Sequence, residues 1–368
     1  MTSPSDRAGA TLTIDLGAVA RNYQGLRERL GGARCAAVVK ADAYGLGMAQ
    51  VAPVLAKAGA ETFFVATLDE ALALRRDLAD AEIAVLDGAL PGTEAEFAAN
   101  RVTPVLNDLG QIERWAALAR ERDGLDAIVH IDTGMNRLGL PAYEARRLAA
   151  EPARLDGLNL RLVMSHLACA EERDNPMNAE QRAAFAAQRA RLPAAPVSLA
   201  NSSGIFLGPD YHFDLARPGV ALYGVNPTPG RPNPMAEVVR LQAKIIQVRD
   251  VDTPQTVGYG AAHRVTAPGR IATVPVGYAD GYLRALSNRA FAAVGDVRVA
   301  VVGRVSMDLV TLDVSSLPAD QARPGATVDL VGGACPVDEV AGWAGTIGYE
   351  ILTSLGRRYA RRYVGNGA

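Results

Sequence analysis

Through its first two-thirds the chain alternates short apolar runs with longer stretches of helical period. The runs are CAAVV (35–39), TFFVA (62–66), EIAVLDG (82–88), VTPVL (102–106), DAIVHID (126–132), LRLVMSH (160–166), PVSLANS (196–202) and HFDLARPG (212–219). Short continuous apolar runs of this kind read as buried strands. Between them lie Ala-rich amphipathic segments such as LDEALALRRDLAD (68–80) and NAEQRAAFAAQRARL (178–192). Eight strand candidates, most followed by a helix, predict a (β/α)8 barrel of the TIM type. A doubly wound open sheet is the competing arrangement, but no GxGxxG dinucleotide turn is present.

The pattern breaks at NPTPGRPNP (226–234), where the density of proline resists both helix and sheet and reads as a linker. Beyond it, AEVVRLQAKIIQVRDV, RIATVPVGYADGY, DVRVAVVGRV, MDLVTLDV and ATVDLVGG are β-branched runs with turn signals. The expected division is therefore an α/β barrel over residues 1–233 and a mainly β domain over 234–368. A length of 368 residues agrees with two domains, since single cores stop growing at about 250–300 residues.

Charge narrows the partners. The formal net charge is −2 and the basic residues are scattered, which argues against nucleic acid or an anionic membrane. No apolar run approaches the roughly 20 residues that span a bilayer. The start, MTSPSDRAGATLTIDL, lacks the basic and apolar regions of a secretory signal. Cys35, Cys169 and Cys335 are few, odd in number and far apart, as expected of reduced thiols in a cytoplasmic protein.

Candidate chemistry starts at Lys40, one of three lysines with Lys57 and Lys244. It ends the first apolar run and precedes the glycine-bearing segment ADAYGLG, where a barrel strand delivers a side chain to the mouth. Arginine fills most other basic positions but stays protonated. A lysine amine can be deprotonated and condensed with an aldehyde. Tyr44, the DTGMNR segment with Arg137, His166, Asn201-Ser202-Ser203-Gly204 and Arg217-Pro218-Gly219 follow the ends of other runs. An amine, two arginines, an imidazole, a phenol and a Ser/Gly turn at one mouth suit an anionic, phosphorylated aldehyde cofactor. No cluster has zinc or calcium spacing, so no metal is needed.

These motifs carry a resemblance to the alanine racemases. AVVKADAYGLG is similar to their pyridoxal-phosphate attachment segment. The likeness continues through HIDTGMNRLGL (130–140), MSHLACAEE (164–172), LANSSG (199–204), DLARPGVALYG (214–224), VGYGAAH (257–263), VPVGYADGY (274–282), VGRVSMDLV (302–310) and TIGYEILTSLGRR (346–358). The resemblance implies a barrel joined to a β domain, with pyridoxal 5'-phosphate bound to Lys40 as an aldimine. It implies that Tyr44, Ser202, Gly219 and Tyr349 hold the phosphate, that Arg217 faces the pyridine nitrogen and that His166 braces Arg217. Arg137 and the Met307 amide would receive the substrate carboxylate, and Tyr278 would line the entrance. Lys40 would take the α-proton of D-alanine and Tyr259 that of L-alanine. The resemblance further implies a head-to-tail homodimer with shared sites, supplying D-alanine for peptidoglycan.

Two positions depart from the family pattern. A lysine, carbamylated to an anion, often stands seven residues before the DTGMxR arginine. Here His130 occupies it, so either a bound anion such as chloride or other neighbours must support Arg137. Leu46 stands where AYGHG is common. Three alternatives have their own signatures. A pyridoxal-phosphate decarboxylase of basic amino acids would share the architecture and show a catalytic Cys in the β domain, and Cys335 lies in GGACPVDEV. The GYGA and SMD motifs favour the racemase. A racemase of broader specificity would be expected to carry a secretory signal. A non-catalytic cofactor-binding module would not need Tyr259 as well as Lys40.

Overall fold

The computed structural model describes residues 7–122, 124–252 and 254–365. All eight expected runs are strands. The first is Arg34–Cys35 continued by Ala37–Val38, followed by Thr62–Val65, Glu82–Val85, Val102–Leu106, Leu125–His130, Leu158–Met164, Val197–Ser198 and Leu215–Ala216. They pair in parallel in chain order, with Val38 opposite Phe64, Val65 opposite Val85 and His130 opposite Met164. The eighth strand pairs with the first, and the N–H groups of Arg34, Ala36 and Val38 donate to Asp214, Ala216 and Pro218. The Arg217 N–H donates to Ala200 and links strands seven and eight. The result is a closed barrel whose strands are apolar on both faces because helices cover the outside.

The helices form where caps and periodicity coincide. Thr67 opens Leu68–Asp77 with a capping box to Glu70, and Asp108 opens Leu109–Arg120 by accepting the Gln111 N–H at 2.8 Å. Leu109, Ile112, Trp115, Ala116 and Ala119 make the buried stripe of the second of these. The last barrel strand is followed only by the 3₁₀ turn Val220–Tyr223. Helix Leu16–Leu30, which precedes the barrel, packs on that turn and on helix Met48–Lys57. Its buried Asn22 donates to the Leu222 and Ala236 carbonyls and accepts the Ala236 N–H.

The last third is mainly β. A six-stranded sheet runs Val297–Ala300, Phe291–Val294, Thr327–Val331, Val239–Lys244, Ala10–Asp15, Ala360–Val364. A second sheet joins Gln247–Val251, Gly269–Val274 and Val310–Asp313. Strand Ala10–Asp15 corrects the expected division, in which everything before 234 belongs to the barrel. It pairs antiparallel with Val239–Lys244 and parallel with Ala360–Val364. Its segment, ATLTID, alternates buried and half-buried residues, the period of a sheet with one covered face rather than of a barrel strand.

The β part is bolted to the barrel beside Lys40. Arg361 Nη1 donates to the Gly45 carbonyl at 2.7 Å and Tyr363 Oη to the Leu46 carbonyl at 3.0 Å. A Cβ on Gly45 would lie 2.6 Å from the Leu352 carbonyl oxygen, so only glycine lets helix Gly348–Ser354 approach this closely. Leu46 is fully buried in the core. Among the described residues no helix is long and apolar enough to cross a membrane.

Leu12, fully buried in the strand shared between the two ends of the chain, gives a direct test. Leu12→Ala should lower unfolding free energy by about 2–5 kcal/mol. Near- and far-ultraviolet circular dichroism should show barrel and sheet losing structure in one coincident transition at the lower midpoint.

Candidate active site

A cavity of about 630 Å³ opens at the C-terminal ends of the barrel strands. Lys40, Tyr44, Arg137, His166, Ser202, Arg217, Gly219 and Tyr349, all singled out in the sequence, line it together. His130 and Asp87 line it as well.

Lys40 stands at the head of an unusual turn. Ala41, Asp42, Ala43 and Tyr44 all have φ between 53° and 57°, a left-handed helical turn built without glycine. The left-handed conformation costs an L-residue roughly 1–2 kcal/mol, so a run of four must be over-determined by its contacts. Ala43 N–H donates to Val39, Gly45 N–H to Ala41 and Gly47 N–H to Asp42, while Asp42 Oδ1 accepts the Met48 N–H at 2.7 Å. The turn swings the Tyr44 ring back into the pocket, 4.8 Å from Tyr223 and 6.0 Å from Tyr349. Burial and the nearby Arg137 charge push the Lys40 pKa down, against the opposing pull of Asp87 and Glu70.

Arg217 is buried at the end of the eighth strand. Its Nη2 donates to the Ser165 carbonyl at 2.7 Å and to His166 Nδ1 at 3.3 Å, and its Nη1 to Ser198 Oγ. No carboxylate pairs with it among the described residues. Burial pushes its pKa down to about 9, which leaves it charged at neutral pH. Burial and that charge hold His166 well below the usual imidazole range. His166 is therefore neutral, with Nδ1 accepting from the arginine and Nε2 carrying the proton.

Beside Arg217, Ser202 Oγ accepts the N–H groups of Gly219 at 2.9 Å and Ala221 at 3.2 Å, leaving its own proton to donate. A Cβ on Gly219 would sit 2.2 Å from Tyr44 Oη, so the position needs glycine. The hydroxyl of Tyr44 has no hydrogen-bond partner among the described residues. Burial raises the pKa of Tyr44 and of Tyr349, which keeps both phenols protonated as donors.

Arg137 sits on the loop after the fifth strand. Asp132 shapes that loop by accepting the N–H groups of Gly134, Met135 and Asn136 at 2.9–3.2 Å. His130, at the end of the same strand, has its Nδ1 2.8 Å from Asn107 Oδ1. The Asn107 amide nitrogen already donates to the Leu86 and Val105 carbonyls, so its oxygen faces the ring and Nδ1 is the donor. Burial and Arg217 push the His130 pKa down to about 4. The ring is neutral and offers Nε2 as a lone pair, not a charge.

Tyr259, Tyr278 and Met307 do not line this cavity. They are 72%, 43% and 54% exposed, on the β part. The Tyr278 N–H donates to Ser306 and the Ala279 N–H to Met307, and Gly260 packs against Arg304. Cys335 is fully buried, its thiol donating to the Phe291 carbonyl, with a pKa pushed up to about 11 by burial. It is a core thiol, away from the cavity. Sequence reasoning missed Asn107, Asp87 and Glu70. Asp87 had a visible signal, being a charge at the end of an apolar run just as Lys40 is. Glu70 had one in the spacing T-x-x-E of a capping box.

Two family models match the chain: "Alanine racemase, N-terminal domain" over residues 14–227 and "Alanine racemase, C-terminal domain" over 238–363. An alanine racemase of Rhodospirillum rubrum is 56% identical over 363 residues, covering 98% of this chain and 97% of the relative. A catabolic alanine racemase of Mesorhizobium japonicum is 51% identical, covering 97% and 94%. Among solved structures, alanine racemase from Bartonella henselae with covalently bound pyridoxal phosphate superposes with a TM-score of 0.94 at 40% identity. It covers 97% of this chain and 100% of that one. The biosynthetic alanine racemase of Pseudomonas aeruginosa gives 0.91 at 36% identity, covering 97% and 99%.

The neutral His130 has a measurable consequence. Its folded pKa, about 4, lies below the unfolded value near 6.5, so the folded state resists protonation. The stabilisation is complete above pH 6.5 and is lost as pH falls from 6.5 towards 4, by on the order of 3 kcal/mol for this group. Thermal melts across that range should show a shallower pH slope for His130→Gln than for the wild-type chain.

Proposed function

This chain belongs to the alanine racemase family, and from that premise we propose how its own residues divide the reaction. The enzyme is an isomerase that interconverts L-alanine and D-alanine with pyridoxal phosphate as cofactor. When bound, that cofactor supplies an aldehyde carbon for an amine and a conjugated ring that accepts the electron pair left by the α-proton. The residues present suit it. Lys40 is the half-buried amine, Arg217 has donors to spare, and Tyr44, Tyr349, Ser202 and the tight approach at Gly219 form a donor-rich cradle for a phosphate.

The observation that carries the division of labour is the separation of Lys40 from Tyr259. Lys40 lines the cavity, whereas Tyr259, Tyr278 and Met307 stand exposed on the β part and do not line it. Racemisation needs proton removal on one side of a planar carbon and delivery on the other, and two bases do this without motion of either. Lys40, its pKa lowered by burial, holds and releases the proton at Nζ on the D-alanine side. Tyr259 of a second copy does so at Oη on the L-alanine side. Arg137, with the Met307 amide of that copy, orients the substrate carboxylate, and Tyr278 lines the entrance. Arg217, a charged donor, would meet the ring nitrogen of the bound cofactor, where it would disfavour protonation and moderate the electron sink. His166, neutral and accepting from Arg217, braces it.

The two parts then divide the labour: the barrel carries the cofactor amine and the β part the second base. A head-to-tail homodimer completes two sites, each β face closing its partner's cavity. The three free thiols suit a reducing compartment, and we place the enzyme in the cytoplasm as a supplier of D-alanine for peptidoglycan.

In half-reactions with solvent deuterium, Tyr259→Phe should slow α-proton exchange of L-alanine roughly 10²–10⁴-fold and that of D-alanine far less. Equal losses on both enantiomers would leave Tyr259 a structural role. The shared site is tested by mixing Lys40→Ala and Tyr259→Ala chains under conditions of subunit exchange. Each heterodimer should regain one intact site, because both lesions collect in the other. Absence of activity despite demonstrated exchange would mean that each site is built from one chain.

A further inference from the structure

Glu70 lies outside the residues given a part in the reaction, yet its carboxylate bridges the ends of the first two barrel strands. Oε2 accepts the N–H groups of Ala66 at 2.8 Å and Thr67 at 3.4 Å, and Thr67 Oγ1 accepts the Glu70 N–H in return. That half is a helix capping box. The other oxygen, Oε1, crosses to the neighbouring strand and accepts the Ala41 N–H at 2.7 Å. Capping does not need this bond. The Ala41 amide directly succeeds Lys40, begins the left-handed turn, and has no backbone acceptor among the described residues. Alanine relaxes readily to a right-handed conformation. If the Ala41 peptide turned over, the Lys40 main chain would rotate with it and the amine would leave its place in the cavity lining.

We propose that Glu70 is a positioning residue for the catalytic amine, its two oxygens holding the Ala41 peptide, and with it Lys40, against the rigid start of helix Leu68–Asp77. The proposal rests on Lys40 being the amine that takes the cofactor. Both oxygens must accept, which a carboxylate does and an amide does not: in Glu70→Gln the NH₂ group meets either the Ala41 N–H or the Ala66 and Thr67 N–H pair. The negative charge is also felt at the amine, in the direction that retains its proton.

Three substitutions in the full-length chain separate this role from simple helix capping. Glu70→Gln keeps the size and one acceptor. Thr67→Ala removes the other half of the capping box and leaves Ala41 untouched. Ala41→Gly admits the left-handed conformation without strain. Each apoenzyme is mixed with pyridoxal phosphate. Covalent attachment is followed by absorbance, and by the fraction of Lys40 recovered as the reduced adduct after borohydride, with Tm measured in parallel. Glu70→Gln should slow attachment roughly tenfold to hundredfold, a typical cost of misplacing a reacting group. Thr67→Ala should lower Tm without that loss, and Ala41→Gly should restore most of the rate in the Glu70→Gln background but not change the Thr67→Ala chain. If Glu70→Gln does not fold, Glu70→Asp replaces it: the shorter side chain should retain the cap and lose the reach to Ala41. Attachment rates that follow Tm alike in the Glu70 and Thr67 variants, or no recovery with Ala41→Gly, would reduce Glu70 to a helix cap. Adduct on a lysine other than Lys40 in the wild-type chain would instead overturn the assignment of Lys40, a separate failure.

Discussion

The parallel seam between residues 34–38 and 214–218 sets the terms for the rest of the molecule. Three main-chain hydrogen bonds across it close the barrel, and closure brings the end of the first strand beside the end of the eighth. Lys40 and Arg217, remote in sequence, become neighbours at one mouth for that reason alone. The charges gathered there then shape one another's surroundings. Burial, reinforced by a guanidinium that no carboxylate pairs among the described residues, keeps His166 and His130 neutral, and Arg137 adds to the depression that burial causes at Lys40. The cavity is thus a place where protons are held loosely by nitrogen bases and tightly by phenols.

A second constraint acts just beyond the seam. The left-handed turn at 41–44 is a conformation that its alanines would not choose. It is held from three directions: by its own hydrogen bonds, by Glu70 from the adjoining helix, and by Arg361 and Tyr363 from the far end of the chain. The amine is therefore placed by the last residues of the fold as much as by the strand that precedes it. This accounts for the β part's second role, as a brace for the barrel mouth of its own chain.

Much of this was legible in the sequence, and the failures have physical causes. The eight barrel strands could be read because burial on both faces leaves continuous apolar runs. The cavity residues could be read because a barrel gathers the C-terminal ends of those runs at one mouth. Strand Ala10–Asp15 escaped because its period-two alternation is short and its partners lie more than two hundred residues away. The left-handed turn escaped because alanine, unlike glycine, carries no mark of positive φ. His130 showed as a departure from the family pattern. Its neutral state depends on Asn107, whose orientation is fixed only by carbonyls that no local pattern reveals.

The strand at residues 10–15 also orders events during synthesis. It leaves the ribosome before the barrel strands, yet one of its sheet neighbours is made after the entire barrel and the other, Ala360–Val364, later still. The barrel has all its strands long before then, and domains fold N-terminal first as the chain emerges. Until Val239–Lys244 emerges, then, the nascent protein carries a tethered, half-apolar strand with both hydrogen-bonding edges open, the kind of segment that pairs with strangers. The architecture that fastens residues 10–15 and 360–364 into one sheet makes synthesis of the later strand, rather than completion of the barrel, the moment at which this edge is closed.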